Sequence, residues 1–119
     1  MATYSKEKLS HSTSGKNIVV SATSTLGNNI HTAVAGASDL DEIWLYACNT
    51  DSSDRKVTIE YGGAAASPAA TVTEITITAE AGWVLIVPGL LLNGGLVVTV
   101  FAAATNVVNI NGYVNRITA

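Results

Sequence analysis

Charge is scarce in this chain. Asp, Glu, Lys and Arg make up 13% of its 119 residues, about half of the ~25% typical of soluble domains. Ser, Thr, Asn, Ala and Gly must therefore finish much of the surface, which weakens repulsion between copies and suits a surface that neighbours cover. Cysteine is almost absent as well. The single Cys48 excludes an internal disulfide and every multi-cysteine metal motif, and favours synthesis in a reducing compartment. No basic start leads into an apolar run with a small-residue cleavage site, so no secretory signal is expected. The formal net charge of -3 and the pI near 5.1 offer no basic footprint for counterion release, and no nucleic-acid partner is expected.

Helical periodicity is missing too. No run of helical length keeps apolar residues at i, i+3 and i+4, and no internal repeat is present. Residues 83–102 are apolar enough to raise the question of a membrane span, but Pro88-Gly89 and Asn93-Gly94-Gly95 interrupt them at strand-length intervals. They read as strands joined by turns, and no membrane partner is expected.

What remains is a series of short β-branched runs separated by Gly, Asn, Asp, Ser and Pro, the pattern of sandwiches and barrels. Strands are predicted over residues 18–22, 30–34, 41–49, 55–61, 74–79, 83–87, 96–102 and 107–117. The expected fold is all-β, a single antiparallel β-sandwich, jelly-roll-like or immunoglobulin-like, with eight or so strands favouring the jelly roll. Residues 1–16, polar and mildly basic, read as an extended N-terminal arm, with at most an edge strand over residues 6–10; residues 17–119 form the sandwich. Strands 41–49 and 55–61 are expected to pair across the polar tip Thr50-Asp51-Ser52-Ser53-Asp54. Residues 62–70 read as a small-residue loop.

Alternation predicts burial. Val57, Ile59 and Tyr61 should face the core, with Thr58 and Glu60 near solvent. Strand 41–49 and the stretch 83–102 are apolar on both faces. A sandwich has one inner face per sheet, so their second faces ask for a cover: the arm, the 62–70 loop or another subunit.

Chemistry-bearing residues are few and unpatterned. His11, His31 and Cys48 show neither zinc spacing nor a nucleophile elbow, and no enzyme activity and no cofactor are expected. Asp39, Asp41 and Glu42, and the loop acids Asp51 and Asp54, lack the ligand order of a calcium loop and read as solvated charges at a strand end and a turn. The glycine pairs are turn glycines without a phosphate-binding context. Trp44, Trp83, Tyr46, Tyr61 and Tyr113 serve core packing, subunit contacts or a sugar-stacking platform.

The segment Asp39-Leu40-Asp41-Glu42-Ile43-Trp44-Leu45-Tyr46, followed by Asn49-Thr50-Asp51-Ser52-Ser53-Asp54-Arg55-Lys56-Val57-Thr58-Ile59, resembles small virion proteins of tailed bacteriophages. So does the closing Val87-Pro88-Gly89-Leu90-Leu91-Leu92-Asn93-Gly94-Gly95-Leu96, continuing to Asn109-Ile110-Asn111-Gly112-Tyr113-Val114. Within that group the chain looks most like head decoration, or cement, proteins. The resemblance implies a protein made in the host cytoplasm and carried on the virion capsid surface. Its partners would be the major capsid protein and other copies of itself, as a trimer or another homo-oligomer. Interface candidates are Tyr4, Lys6, Lys8 and Leu9 in the arm, and Trp44, Tyr46, Trp83 and Phe101 on the doubly apolar strands. A head-tail connector or tail subunit and a carbohydrate-binding module are the alternatives.

Overall fold

The alternation that marks the strands also assembles them. The computed structural model describes residues 2–24, 26–61 and 72–119, and among these there is no helix. The described strands are β1 (Thr3–Lys8), β2 (Ile18–Val20), β3 (Asn28–Thr32), β4 (Leu40–Asn49), β5 (Arg55–Glu60), β6 (Val72–Ile77), β7 (Val84–Leu92), β8 (Val97–Ala102) and β9 (Val108–Thr118). They form two sheets. One has five strands in the order β1-β9-β4-β7, with β2 also paired to β9; the other has four in the order β3-β8-β5-β6. All pairings are antiparallel.

The pairs β2·β9, β3·β8, β4·β7 and β5·β6 are nested, as if one long hairpin had been rolled up. That path is the jelly roll, a β-sandwich built from two Greek keys. Inward-facing Val20, Ile43, Leu45, Ala47, Val108, Ile110 and Val114 of the five-stranded sheet meet Ile30, Val57, Ile59, Ile77, Val98 and Val100 of the other in one core. Alternation along β4 is strict, with every second residue from Asp41 to Asn49 buried.

Several sequence expectations are corrected here. Strands β4 and β5 do not form a hairpin; they lie in different sheets, and the intervening tip is a corner between them. Asn49 holds that corner: its buried Nδ2 donates to the carbonyls of Ser53 (2.9 Å) and Ile77 (3.1 Å), while its Oδ1 accepts from the Asp51 N–H. Arg55 closes the loop on the Asp51 carboxylate. Pro88-Gly89 is not a turn either, since β7 runs through it as one strand. An edge strand tolerates Pro88 because no neighbour needs its missing N–H. Gly89, at φ 88°, makes a bulge that skips one residue of the pairing between Ile43↔Leu90 and Trp44↔Pro88.

The first sixteen residues do not form a free arm. Thr3–Lys8 is the edge strand β1, antiparallel to residues 113–118 of β9, while β2 pairs with residues 108–110. Between them the chain crosses to the edge of the four-stranded sheet, where the His11 N–H donates to the Ile30 carbonyl. Leu9 enters the core, 1% exposed. Polarity hid this, because a strand lying on a sheet edge buries little; the buried residue is Leu9, just after β1. Thr58 and Glu60 were expected near solvent and are buried. Their strand is central, so Glu74 of β6 and Phe101 of β8 stand beside Thr58 on the same face. The predicted 62–70 loop lies outside the described residues.

Gly112 is a second fixed glycine, for a different reason. A Cβ there would overlap the Trp44 carbonyl oxygen across the β4·β9 ladder, the longest among the described residues. Gly112→Ala is expected to cost about 2 kcal/mol or more by forcing these strands apart, read as a lower urea midpoint with an unchanged slope. A variant as stable as wild type would contradict the close approach.

Candidate functional site

Two constellations stand out, one inside the sandwich and one on its surface. The inner one is centred on Asp41, fully buried on β4. Arg116 of β9 reaches it with both ends of its fork, Nε to Oδ1 at 2.7 Å and Nη2 to Oδ2 at 2.9 Å, a bidentate, charge-assisted pair. The Val34 N–H donates to Oδ2 at 3.0 Å. His31 of β3 contacts the same oxygen through Nε2 at 2.8 Å, while its Nδ1 accepts the Ser10 N–H at 3.0 Å. That second bond fixes the tautomer: the ring proton must sit on Nε2 and point at Asp41. Burial pushes the Asp41 carboxyl up, but the bonds from Arg116 and His31, the Arg116 charge and the Val34 N–H outweigh it and hold the group below its ordinary value.

A histidine on a buried carboxylate can orient a catalytic base. Here both ring nitrogens are engaged and the ring is 1% exposed. The arrangement ties β3, β4, β9 and the segment after β1 together at one end of the core. Asp41, read from sequence as a solvated strand-end charge, is its centre. Sequence reasoning passed over Arg116, although a signal was present: it shares inward parity on β9 with Val108, Ile110 and Val114, and an inward arginine requires a buried acid.

The surface constellation is the outer face of the five-stranded sheet. Register places its outward side chains in rows across the strands. Tyr4, Ile117 and Leu40 form the first row. Lys6, Asn115, Glu42 and Leu91 form the second; Lys8, Tyr113, Trp44 and Pro88 the third; Asn111, Tyr46 and Leu85 the fourth; Val19, Asn109 and Cys48 the fifth. Trp83, immediately before β7, lies over the Tyr46 end and lines a shallow concavity of about 330 Å³ with Tyr46, Asn111, Gly112 and Tyr113. Seven large hydrophobic residues are exposed among those described, and five belong to this face: Tyr4, Val19, Trp83, Leu85 and Leu91.

The middle of the face is held in place. Trp44 and Tyr113 stack with ring centroids 6.3 Å apart and planes 11° from parallel, and Lys6 Nζ sits 4.8 Å from the Tyr113 ring centroid. Trp44 Nε1 donates to Glu42 Oε1 at 2.7 Å, and Asn115 Nδ2 donates to the same oxygen at 3.0 Å. The Asn115 and Trp44 bonds hold the Glu42 carboxyl below its ordinary value. The aromatic surface is therefore ordered before any partner arrives.

The structure brings Tyr4, Lys6, Lys8, Trp44, Tyr46 and Trp83 onto this one face. It separates the other two interface candidates from them. Leu9 is in the core and has no surface to offer. Phe101 is on the outer face of the four-stranded sheet, on the opposite side of the sandwich. Cys48 faces outward beside Asn109, across the sheet from inward-facing His31. Among the described residues no group of three or more His, Cys, Asp or Glu side chains converges as a metal site, and no helix is long and apolar enough to cross a membrane. Comparison with known proteins finds no matching family model, no matching curated protein and no matching solved structure.

Removing one partner of a buried charge pair strands the other. Arg116→Met is expected to destabilise the fold by about 3 kcal/mol, measured by urea unfolding; a loss no larger than that of an ordinary surface substitution would contradict the assigned role. The sign with pH follows from the lowered carboxyl. The contribution of ionised Asp41 is present in full above its ordinary value of 3.8 and is lost as pH falls through the lower folded-state value. Melting temperature in wild type should therefore drop across that acidic window, and Asp41→Asn, less stable at neutral pH, should show a shallower drop there.

Proposed function

We propose that the chain is a structural subunit of a tailed-bacteriophage virion, a decoration protein that docks on the capsid exterior and stabilises the shell. The observation that carries this reading is the ordered, weakly charged outer face of the five-stranded sheet, with Tyr4 72% and Leu91 52% exposed. A face that exposes five large hydrophobic side chains, with Lys6, Lys8 and Glu42 as its charges, suits a protein cover. The resemblance of residues 39–59 and 87–114 to small virion proteins points the same way, and jelly rolls are recurrent in viral capsid domains. Fold alone does not assign function, so the weight rests on the face.

In this reading the docking strip runs through the first three rows, from Tyr4 and Ile117 to Trp44 and Leu91. The major capsid protein and neighbouring copies of this chain are its partners. Each contact is modest; many copies on one lattice act together, so that the shell gains from additive burial. Strand β1 contributes by lying in place as the rim of the strip, with Tyr4 and Lys6 on its outward side, rather than by reaching out as a loose arm.

Quantitative proteomics of purified virions tests the assignment. Decoration requires copies in proportion to the capsid subunits, and particles lacking the chain should lose their contents at lower temperature. A Leu91→Asp variant should fold normally and show at least tenfold lower occupancy. A copy number matching a ring on the tail axis would replace decoration with a connector or tail role, and absence from particles would overturn the virion reading.

A further inference from the structure

The concavity at the Tyr46 end of the face differs from the docking strip, which it meets only at Tyr113 of the third row. Its lining consists of Tyr46, Trp83, Asn111, Gly112 and Tyr113, without a charged side chain. The nearest cation is Lys6, outside the lining and engaged over the Tyr113 ring at 4.8 Å, and a cation would find no carboxylate among the lining residues. Tyr46 and Trp83 present π surface, with Trp83 half exposed, while the Tyr113 ring is engaged by Trp44 and Lys6. Polar capacity comes from amides, which both donate and accept. Asn111 Oδ1 accepts the Gly112 N–H at 2.7 Å and its Nδ2 donates to Asn17 at 3.0 Å, which fixes the amide; its second N–H and second oxygen lone pair have no partner in those two bonds. The Asn109 side chain, one row further, makes only a long 3.8 Å contact to Cys48 Sγ among the described residues.

We infer that this concavity is a binding site for a neutral carbohydrate, taking one pyranose unit against the Trp83 and Tyr46 rings. The C–H face of a pyranose ring is apolar and stacks on aromatic surface, while its equatorial hydroxyls donate and accept around the rim. Amides match that pattern as no charged side chain does. The size fits, since about 330 Å³ lies at the lower end of small-molecule sites. Openness to solvent admits a residue within a longer glycan, and the Asn111 and Asn109 amides lie along β9 where the next unit would run. This site does not rest on the virion reading, because it needs neither the docking strip nor assembly.

The test uses the intact chain. A glycan array is probed with labelled protein, and maltotetraose, cellotetraose and chitotetraose are titrated separately to about 10 mM, the range of weak sites. Tryptophan fluorescence and amide NMR shifts provide the readout. At least one array glycan or tetrasaccharide should give a saturable response, with shifts clustered at Tyr46, Trp83, Asn111 and Tyr113. Trp83→Ala should weaken it tenfold or more, whereas Tyr46→Phe, which keeps the ring, should stay within about threefold; both lie outside the core and should melt like wild type. Silence on the array and in all three titrations overturns the proposal. So does undiminished binding by Trp83→Ala, or a sugar-insensitive surface at which Trp83→Ala instead dissociates a homo-oligomer in sedimentation. Occupancy on virions is measured separately, so either reading can fail without the other.

Discussion

The Asp41 carboxylate is the constraint on which the rest of the structure depends. A buried ionised group is tolerated only where its hydrogen-bonding and charge are met, and here four donors from three other parts of the chain converge on it. Satisfying it requires β4 and β9 to be in one register and the β3 edge to lie beside them. A slip of one residue would turn Asp41 and Arg116 outward together with Ile43, Leu45, Val114 and Ile110. The same parity then dictates what the other face carries. With those residues inside, Glu42, Trp44 and Tyr46 of β4 and Asn109, Asn111, Tyr113 and Asn115 of β9 must face outward. The ordered aromatic surface is thus a consequence of how the core is closed.

The segment after β1 is drawn into the same arrangement. Ser10 donates its N–H to His31 Nδ1, and its hydroxyl accepts the Thr32 N–H at 2.7 Å. These bonds cap the β3 edge and set Leu9 into the core, so β1 is anchored at its C-terminal end and lies along β9. An edge that would otherwise present unpaired backbone groups is covered by the chain's own first strand.

Much of this was legible in the sequence, and what was not has physical causes. Alternation in residues 41–49 and 107–117 marks β4 and β9 and the faces they bury, because local pattern reports burial directly. Partnership is not local. Nothing in Thr50-Asp51-Ser52-Ser53-Asp54 distinguishes a hairpin turn from a corner between sheets; the difference lies in Asn49, whose side chain bonds to the distant Ile77 carbonyl. Pro88-Gly89 reads as a break until β7 is known to be an edge strand, where a missing N–H costs nothing. The doubly apolar character of β4 and β7 did point to an outer face that exposes large hydrophobic side chains. It could not divide Trp44 and Tyr46 from Phe101, which sheet order places on opposite sides of the molecule. Asp41 was misread because an acid beside Asp39 and Glu42 looks solvated, and only its parity with Ile43 and Leu45 says otherwise.

The working surface in this account is therefore one side of the sandwich: a rigid strip from Tyr4 to Leu91 with an uncharged aromatic concavity at its far end. Carbene or hydroxyl-radical footprinting of the chain, free and on virions, addresses that claim most directly. Protection on particles should be confined to the outer side chains of the five-stranded sheet, with Tyr4, Trp44 and Leu91 strongly shielded and Phe101 and Leu26 labelled as in the free protein. Shielding of Phe101 and Leu26, with Tyr4, Trp44 and Leu91 still freely labelled, would contradict it.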